Sequence, residues 1–255
     1  MHDKILKDKV AIITGAARGI GRSSAVHFAR HGARLLLADL DSEPGEEVAE
    51  LVRREGGEAA FVRTDVSDAQ DVEALVATAL QLYGRLDCAF NNAGIDGEAS
   101  PLSESSEENW DLVTAVDLKG VWLCLKYELR AMVQQGGGSI VNAASAAGTV
   151  GLDYGLSAYV AAKHGVIGLT RAAALEYATQ GIRVNAVCPG TVRTTMLDDA
   201  IRDGIVTEEG AASLQPMRRL GKPKEIARAA AWLCSDQASF ITGHAMAVDG
   251  GFVAA

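Results

Sequence analysis

Tyr159 and Lys163 stand four positions apart within SAYVAAKHGVIGL, a spacing that puts both side chains on one face of a helix, a single turn apart. A phenol and an ammonium both titrate near about 10 in water. The ammonium is therefore expected to stabilise phenolate and draw the tyrosine toward neutrality, where it works as a general acid/base. On an ordinary surface helix such a pair is only solvated, so its surroundings decide. Just upstream, SIVNAAS delivers Ser145 to the C-terminal end of an apolar strand, where open parallel sheets hold their ligands. A hydroxyl there can hydrogen-bond a substrate oxygen, although Ser145 alone would read as a turn residue.

A second constellation lies near the N-terminus. The first apolar strand runs into Thr14-Gly15-Ala16-Ala17-Arg18-Gly19-Ile20-Gly21, and a helical pattern follows at once. Glycines let the backbone turn tightly and approach a pyrophosphate, while free N–H groups at the start of the helix hold the anion. Any tight strand-to-helix turn could use the same glycines. Asp39 closes the second strand at about the distance, roughly 20 residues on, where a carboxylate hydrogen-bonds the adenosine ribose hydroxyls and repels the extra phosphate of NADP. Asp41 is a nearby competitor, and Asp39 could merely open a turn. Arg18 pulls the other way, since a guanidinium in the loop can pair with a 2′-phosphate. Leu40, where a second basic residue would help, is apolar. NAD is the expected cofactor, ahead of NADP.

These residues need a scaffold. Short aliphatic runs at 10–14, 34–39, 59–66, 86–91, 139–144, 183–188 and 245–249 alternate with helical patterns near 20–31, 43–55, 69–83, 106–134, 157–180 and 223–235. Such alternation predicts repeated βαβ units. The expected class is α/β: one doubly wound, Rossmann-type domain over 1–255, a seven-stranded parallel sheet with helices on both faces. The irregular stretch at 190–221 has no clean strand, and a long loop in a compact fold usually has a task. A substrate lid over 191–220 is expected.

Composition sets the outer limits. Apolar residues make up 48% and charged residues 22% of 255 residues, an ordinary globular balance. A net charge of −9 argues against nucleic acid or an anionic membrane as the main partner, because phosphate binding needs a basic face. The N-terminus MHDKILKDKV lacks the apolar stretch of a signal peptide, and a cytoplasmic location is expected. Cys88, Cys124, Cys188 and Cys234 are widely spaced in apolar segments, which predicts reduced packing residues and no metal site.

Taken in order, TGAARGIG, Asp65-Val66, Asn91-Asn92-Ala93-Gly94, Ser145, Tyr159 with Lys163, Pro189-Gly190 and the closing FITGHAMAVDGG resemble the short-chain dehydrogenase/reductase family over essentially the whole chain. The resemblance implies a dinucleotide loop at Gly15, Arg18, Gly19, Ile20 and Gly21, with Asp39 on the ribose. It puts an adenine contact on Asp65 and Val66, and a conserved-type segment on Asn91, Ala93 and Gly94. Pro189, Gly190, Val192 and Thr194 would meet the nicotinamide amide and pyrophosphate. In the implied reaction Tyr159 exchanges a proton with the substrate oxygen, Ser145 orients that oxygen, and Lys163 holds the nicotinamide ribose. The substrate would be a moderately sized secondary alcohol or ketone with further hydroxyls or a ring, in a pocket offering Met196, Leu197, Tyr154 and Leu152 as apolar surface and Asp96, Glu98 and Asp153 as hydroxyl contacts. It would not be an enoyl or fatty-acyl thioester, and the assembly would be a homotetramer. Two departures stand out. The loop between Ser145 and Tyr159 is one residue longer than is usual there, and the catalytic Asn of the family's VNLxG is Asp117 in VDLKG. An NAD-binding protein of the same fold without turnover is therefore the alternative reading. For Asp117 itself two outcomes are open: a carboxylate beside Lys163, or a side chain turned away to satisfy a neighbouring N–H.

Overall fold

The computed structural model describes residues 4–202 and 204–254, apart from the side chain of Met196; that side chain, expected to contribute apolar pocket surface, lies outside the described residues. Seven parallel strands run β1 (Val10–Thr14), β2 (Arg34–Asp39), β3 (Glu58–Arg63), β4 (Cys88–Asn91), β5 (Gly138–Ala143), β6 (Ile182–Pro189) and β7 (Ala245–Val248). Their order across the sheet is β3-β2-β1-β4-β5-β6-β7. The chain winds outward from β1 in one direction, then returns to β4 and winds the other way. Between β1 and β4 the connections diverge and leave a crevice at the carboxyl ends of the strands.

Side chains of successive strand residues point to opposite faces, and both faces are apolar. Ala11, Ile13, Leu35, Leu37, Phe90, Val141 and Val187 pack on one side, against α1 (Gly19–Arg30), α2 (Ser42–Arg54) and α9 (Pro223–Cys234). Ile12, Leu36, Ala89, Ile140, Val184 and Ala186 pack on the other, against α3 (Ala69–Tyr83), α5 (Val121–Gln135) and α6 (Ser157–Tyr177). The four cysteines are buried and unbonded. Among the described residues no helix is long and apolar enough to cross a membrane.

Several boundaries differ from the sequence reading, most by a residue or two; three have a clear physical reason. β3 stops at Arg63, short of 66, because the Asp65 N–H turns to the Asp71 carboxylate, 2.9 Å away. β4 starts at Cys88, because the Leu86 N–H is taken by the Gln135 side chain at 3.0 Å. The expected single helix at 106–134 is instead α4 (Glu107–Thr114), a π-helical turn at Ala115–Gly120, and α5. A π turn inserts one residue into the helical register, which apolar periodicity does not reveal. The irregular stretch holds two short helices, α7 (Thr195–Arg202) and α8 (Glu208–Ser213).

Candidate active site

A cleft of about 590 Å³ opens at the crevice between β1 and β4. Its floor at one end is the glycine loop. Gly15 has φ +62°, and a Cβ there would sit 2.8 Å from the Ala93 Cα; a Cβ on Gly21 would fall 1.9 Å from the Gly15 oxygen. No side chain fits at either place. The loop feeds α1, whose first turn holds no acidic residue and whose N-cap, Arg18, makes no side-chain capping bond. Its first N–H groups and the positive end of the helix therefore remain available to an anion. Loop glycines, an uncapped helix N-terminus and a cleft with a carboxylate at the far side fit a dinucleotide.

Asp39 locks that loop to the sheet. Its carboxylate accepts from the Ala17 N–H at 2.9 Å and from the Asp41 N–H at 3.1 Å, and it lines the cleft beside Leu40. Arg18 pairs with Asp41 at 3.2 Å, so the guanidinium that could have met a 2′-phosphate faces a carboxylate. Asp65 accepts from the Ser67 N–H at 2.9 Å and its hydroxyl at 2.7 Å; the hydroxyl bond is the largest influence holding its carboxyl below the usual range. Val66, Ala93, Gly94, Pro189, Gly190, Val192 and Thr194 all line the cleft, as do Ile20 and Gly19. Asn91 does not. Its side chain is buried, donating to Glu128 at 2.9 Å and Asn142 at 3.0 Å, and Asn92 takes the place at the cleft, donating to the Thr14 and Gly15 carbonyls at 3.0 and 3.1 Å. Strand alternation could have signalled this, since neighbours on β4 face opposite ways.

Ser145, Tyr159 and Lys163 line the other end of the same cleft. Ser145 follows β5 and accepts from the Ala147 N–H at 3.1 Å. Tyr159 and Lys163 come from the first turns of α6. The Lys163 ammonium is buried, donates to the Ala143 carbonyl at 3.2 Å and lies 5.3 Å from the centre of the Tyr159 ring.

Asp117, in the π turn, is fully buried and reaches Lys163 at 2.9 Å between Oδ2 and Nζ. The contact brings opposite charges together in the buried interior. Its other oxygen, Oδ1, accepts from the Ile95 N–H at 2.8 Å. The side chain therefore does both things that the sequence left as alternatives: it meets Lys163 and it satisfies a backbone N–H. Gly94 leaves the room, since a Cβ there would come within 3.1 Å of Asp117 and 3.2 Å of Lys163. One expectation is corrected. The Tyr159 hydroxyl is pushed above its usual value, chiefly by burial, with the Asp96 and Asp117 carboxylates adding to it; the Lys163 ammonium and the Ser145 hydroxyl pull it only part of the way back. Lys163 stays charged despite burial, because Asp117 holds it above its usual value.

Residues 15–253 match the family model described as Enoyl-(Acyl carrier protein) reductase. The 2,5-dichloro-2,5-cyclohexadiene-1,4-diol dehydrogenase of Sphingobium indicum is 46% identical over 250 residues, covering 98% of each chain. Cyclohexanol dehydrogenase of an Acinetobacter species is 43% identical over 245 residues, covering 96% of this chain and 95% of that one. Among solved structures, levodione reductase superposes with a TM-score of 0.93 at 39% identity, covering 98% of this chain and 99% of the other.

Proposed function

The chain belongs to the short-chain dehydrogenase/reductase family, and from that premise we propose that it is an NAD-dependent dehydrogenase of ring-borne secondary alcohols, working with the corresponding ketones in reverse. It is an oxidoreductase of alcohols and ketones that uses a nicotinamide dinucleotide; the finer reading concerns which cofactor, which residues and which alcohols. One observation carries it: Ser145, Tyr159 and Lys163 share one end of a cleft whose other end is closed by the Asp39 carboxylate.

A bound nicotinamide dinucleotide supplies the hydride acceptor. Ser145 hydrogen-bonds the substrate oxygen and turns it toward Tyr159. The Tyr159 oxygen takes the hydroxyl proton as the carbonyl forms and returns it in reduction. Lys163, fixed by the Ala143 carbonyl and Asp117, keeps a positive charge beside the phenol, which favours the phenolate over a neutral neighbour. The helices at 191–220 serve as the lid, held to one another where Arg193 pairs with Asp198 at 3.2 Å and Glu208 at 2.8 Å.

Asp39 and the Arg18–Asp41 pair support NAD over NADP. With cyclohexanol as substrate, kcat/KM is expected to be at least about tenfold higher with NAD, or about 1.4 kcal/mol. Equal or reversed preference would overturn the cofactor reading, and turnover with neither cofactor across a panel of ring alcohols would overturn the enzyme. The exposed Trp110, Leu112 and Trp122 on α4 and α5 and Leu175 on α6 support assembly as a homotetramer, since large apolar side chains left at the surface of one copy favour burial against another. Light scattering at micromolar concentration reads the mass, and a monomer would defeat it.

A further inference from the structure

The substrate end of the cleft holds one carboxylate that the reaction above does not use. Asp96 lines the cleft in company with Ser145, Tyr159 and Lys163. It is close enough to act on the charge state of both Tyr159 and Lys163. Its neighbours hold the segment rigidly. On one side the Ile95 N–H is bound by Asp117 at 2.8 Å. On the other, the buried Asn109 amide grips Glu98 from both directions, accepting from its N–H at 2.8 Å and donating to its carbonyl at 3.2 Å. Gly97 between them has φ +73°, and a Cβ there would lie 2.4 Å from Val113. Two residues further, the Ser100 N–H is bound by the Gly155 carbonyl at 3.0 Å.

Asp96 is thus aimed by fixed backbone on both sides, yet no described residue donates a hydrogen bond to its carboxylate or pairs with it. Burial and the nearby Asp117 carboxylate hold its carboxyl above the usual range. The half-buried carboxylate is left with acceptor capacity that no described residue uses, and a ligand hydroxyl in the cleft can fill it. The Lys163 ammonium already occupies this field, so a second cation would be repelled, whereas a neutral hydroxyl meets no such penalty.

We propose that Asp96 is a specificity-determining residue that accepts a hydrogen bond from a second hydroxyl of the substrate, so that the preferred substrate is a ring diol, one hydroxyl at Tyr159 and the other at Asp96. This rests on the reading of the chain as a ring-alcohol dehydrogenase. It also gives the polar wall of the pocket a task that a simple alcohol leaves undone.

The test is the ratio of kcat/KM for the best of the cyclohexane-1,2-, 1,3- and 1,4-diols to that for cyclohexanol, measured with NAD for wild type, Asp96→Ala and Asp96→Asn. Loss of a hydrogen bond to a charged group is worth about tenfold or more. The ratio is expected to fall by at least about that factor in Asp96→Ala, and by less in Asp96→Asn, whose carbonyl still accepts. A fall short of tenfold in Asp96→Ala would overturn the proposal while leaving the dehydrogenase standing. Absence of turnover by the wild type would strike the underlying reading instead. For that case diol binding to NAD-loaded Tyr159→Phe, with and without Asp96→Ala, reads the contact without chemistry; the added substitution is expected to weaken it by about tenfold or more, and unchanged binding would overturn the proposal. The Asn variant, nearly isosteric, also separates a lost contact from a misfolded loop: NADH affinity equal to wild type in both variants is expected.

Discussion

At the cofactor end of the cleft the deciding atoms are backbone: Gly15 and Gly21 touch their neighbours too closely for any side chain, and Asp39 grips two N–H groups. At the catalytic end they are charges. Two carboxylates, Asp96 and Asp117, surround the single ammonium of Lys163, and the phenol between them is raised rather than lowered. The first end is specified by steric limits within a few residues of sequence; the second by a balance among groups carried on β4's loop, a π turn and α6. Steric limits tolerate no change, whereas a charge balance can be retuned by exchanging one atom.

That contrast can be broken first where the effect is largest. Gly21→Ala forces its Cβ against the Gly15 carbonyl, so NADH affinity is expected to fall at least about tenfold, and stability by about 1–3 kcal/mol through overpacking. Gly168→Ala, where a Cβ meets nothing within 4 Å, should instead gain up to about 1 kcal/mol of helix propensity and keep its NADH affinity. Fluorescence titration beside thermal unfolding reads both. Equal tolerance of the two would show that the loop yields and that sterics do not define this end.

Asp117→Asn sharpens the other side with a smaller effect. The amide can still accept from the Ile95 N–H, but one negative charge near Tyr159 is gone. Since Asp117 is among the groups raising the phenol, the variant's pH–rate profile for alcohol oxidation should rise at lower pH than the wild type's. Plateau rates should stay within about tenfold, the scale of one adjusted electrostatic contact. Superimposable profiles would mean that the pair with Lys163 has no bearing on proton transfer. A wild type inactive across a broad ketone panel, with activity restored by Asn, would mean that Asp117 silences the site.

The glycine-loop end was legible in shape because its constraints are local: TGAARGIG and Asp39 stand out by type and spacing, and aliphatic runs set between helical patterns point to a sheet covered on both faces. The catalytic end was legible only in part. Tyr159 and Lys163 are one helical turn apart and could be paired on paper. Asp117 and Lys163 come together through the π turn at Ala115–Gly120, a one-residue shift in register with no signature in the apolar pattern. A lowered tyrosine follows naturally from its lysine neighbour alone; the burial that chiefly raises it does not show in the spacing of two residues. Asn91 was misplaced for a simpler reason: NNAG reads as one unit, yet Asn91 turns into the buried network with Glu128 while Asn92 meets the cleft. Burial there also pushes the Glu128 carboxyl up to about 7.

The central claim is that Tyr159 carries the proton in a cleft whose cofactor end is built separately. Tyr159→Phe removes one oxygen and leaves the glycine loop and Asp39 untouched, so turnover of cyclohexanol with NAD is expected to fall by at least about 100-fold, the lower range for a positioned acid/base, while NADH binds as tightly as to wild type. Turnover retained within tenfold by Tyr159→Phe would contradict the account and move the proton donor to another group.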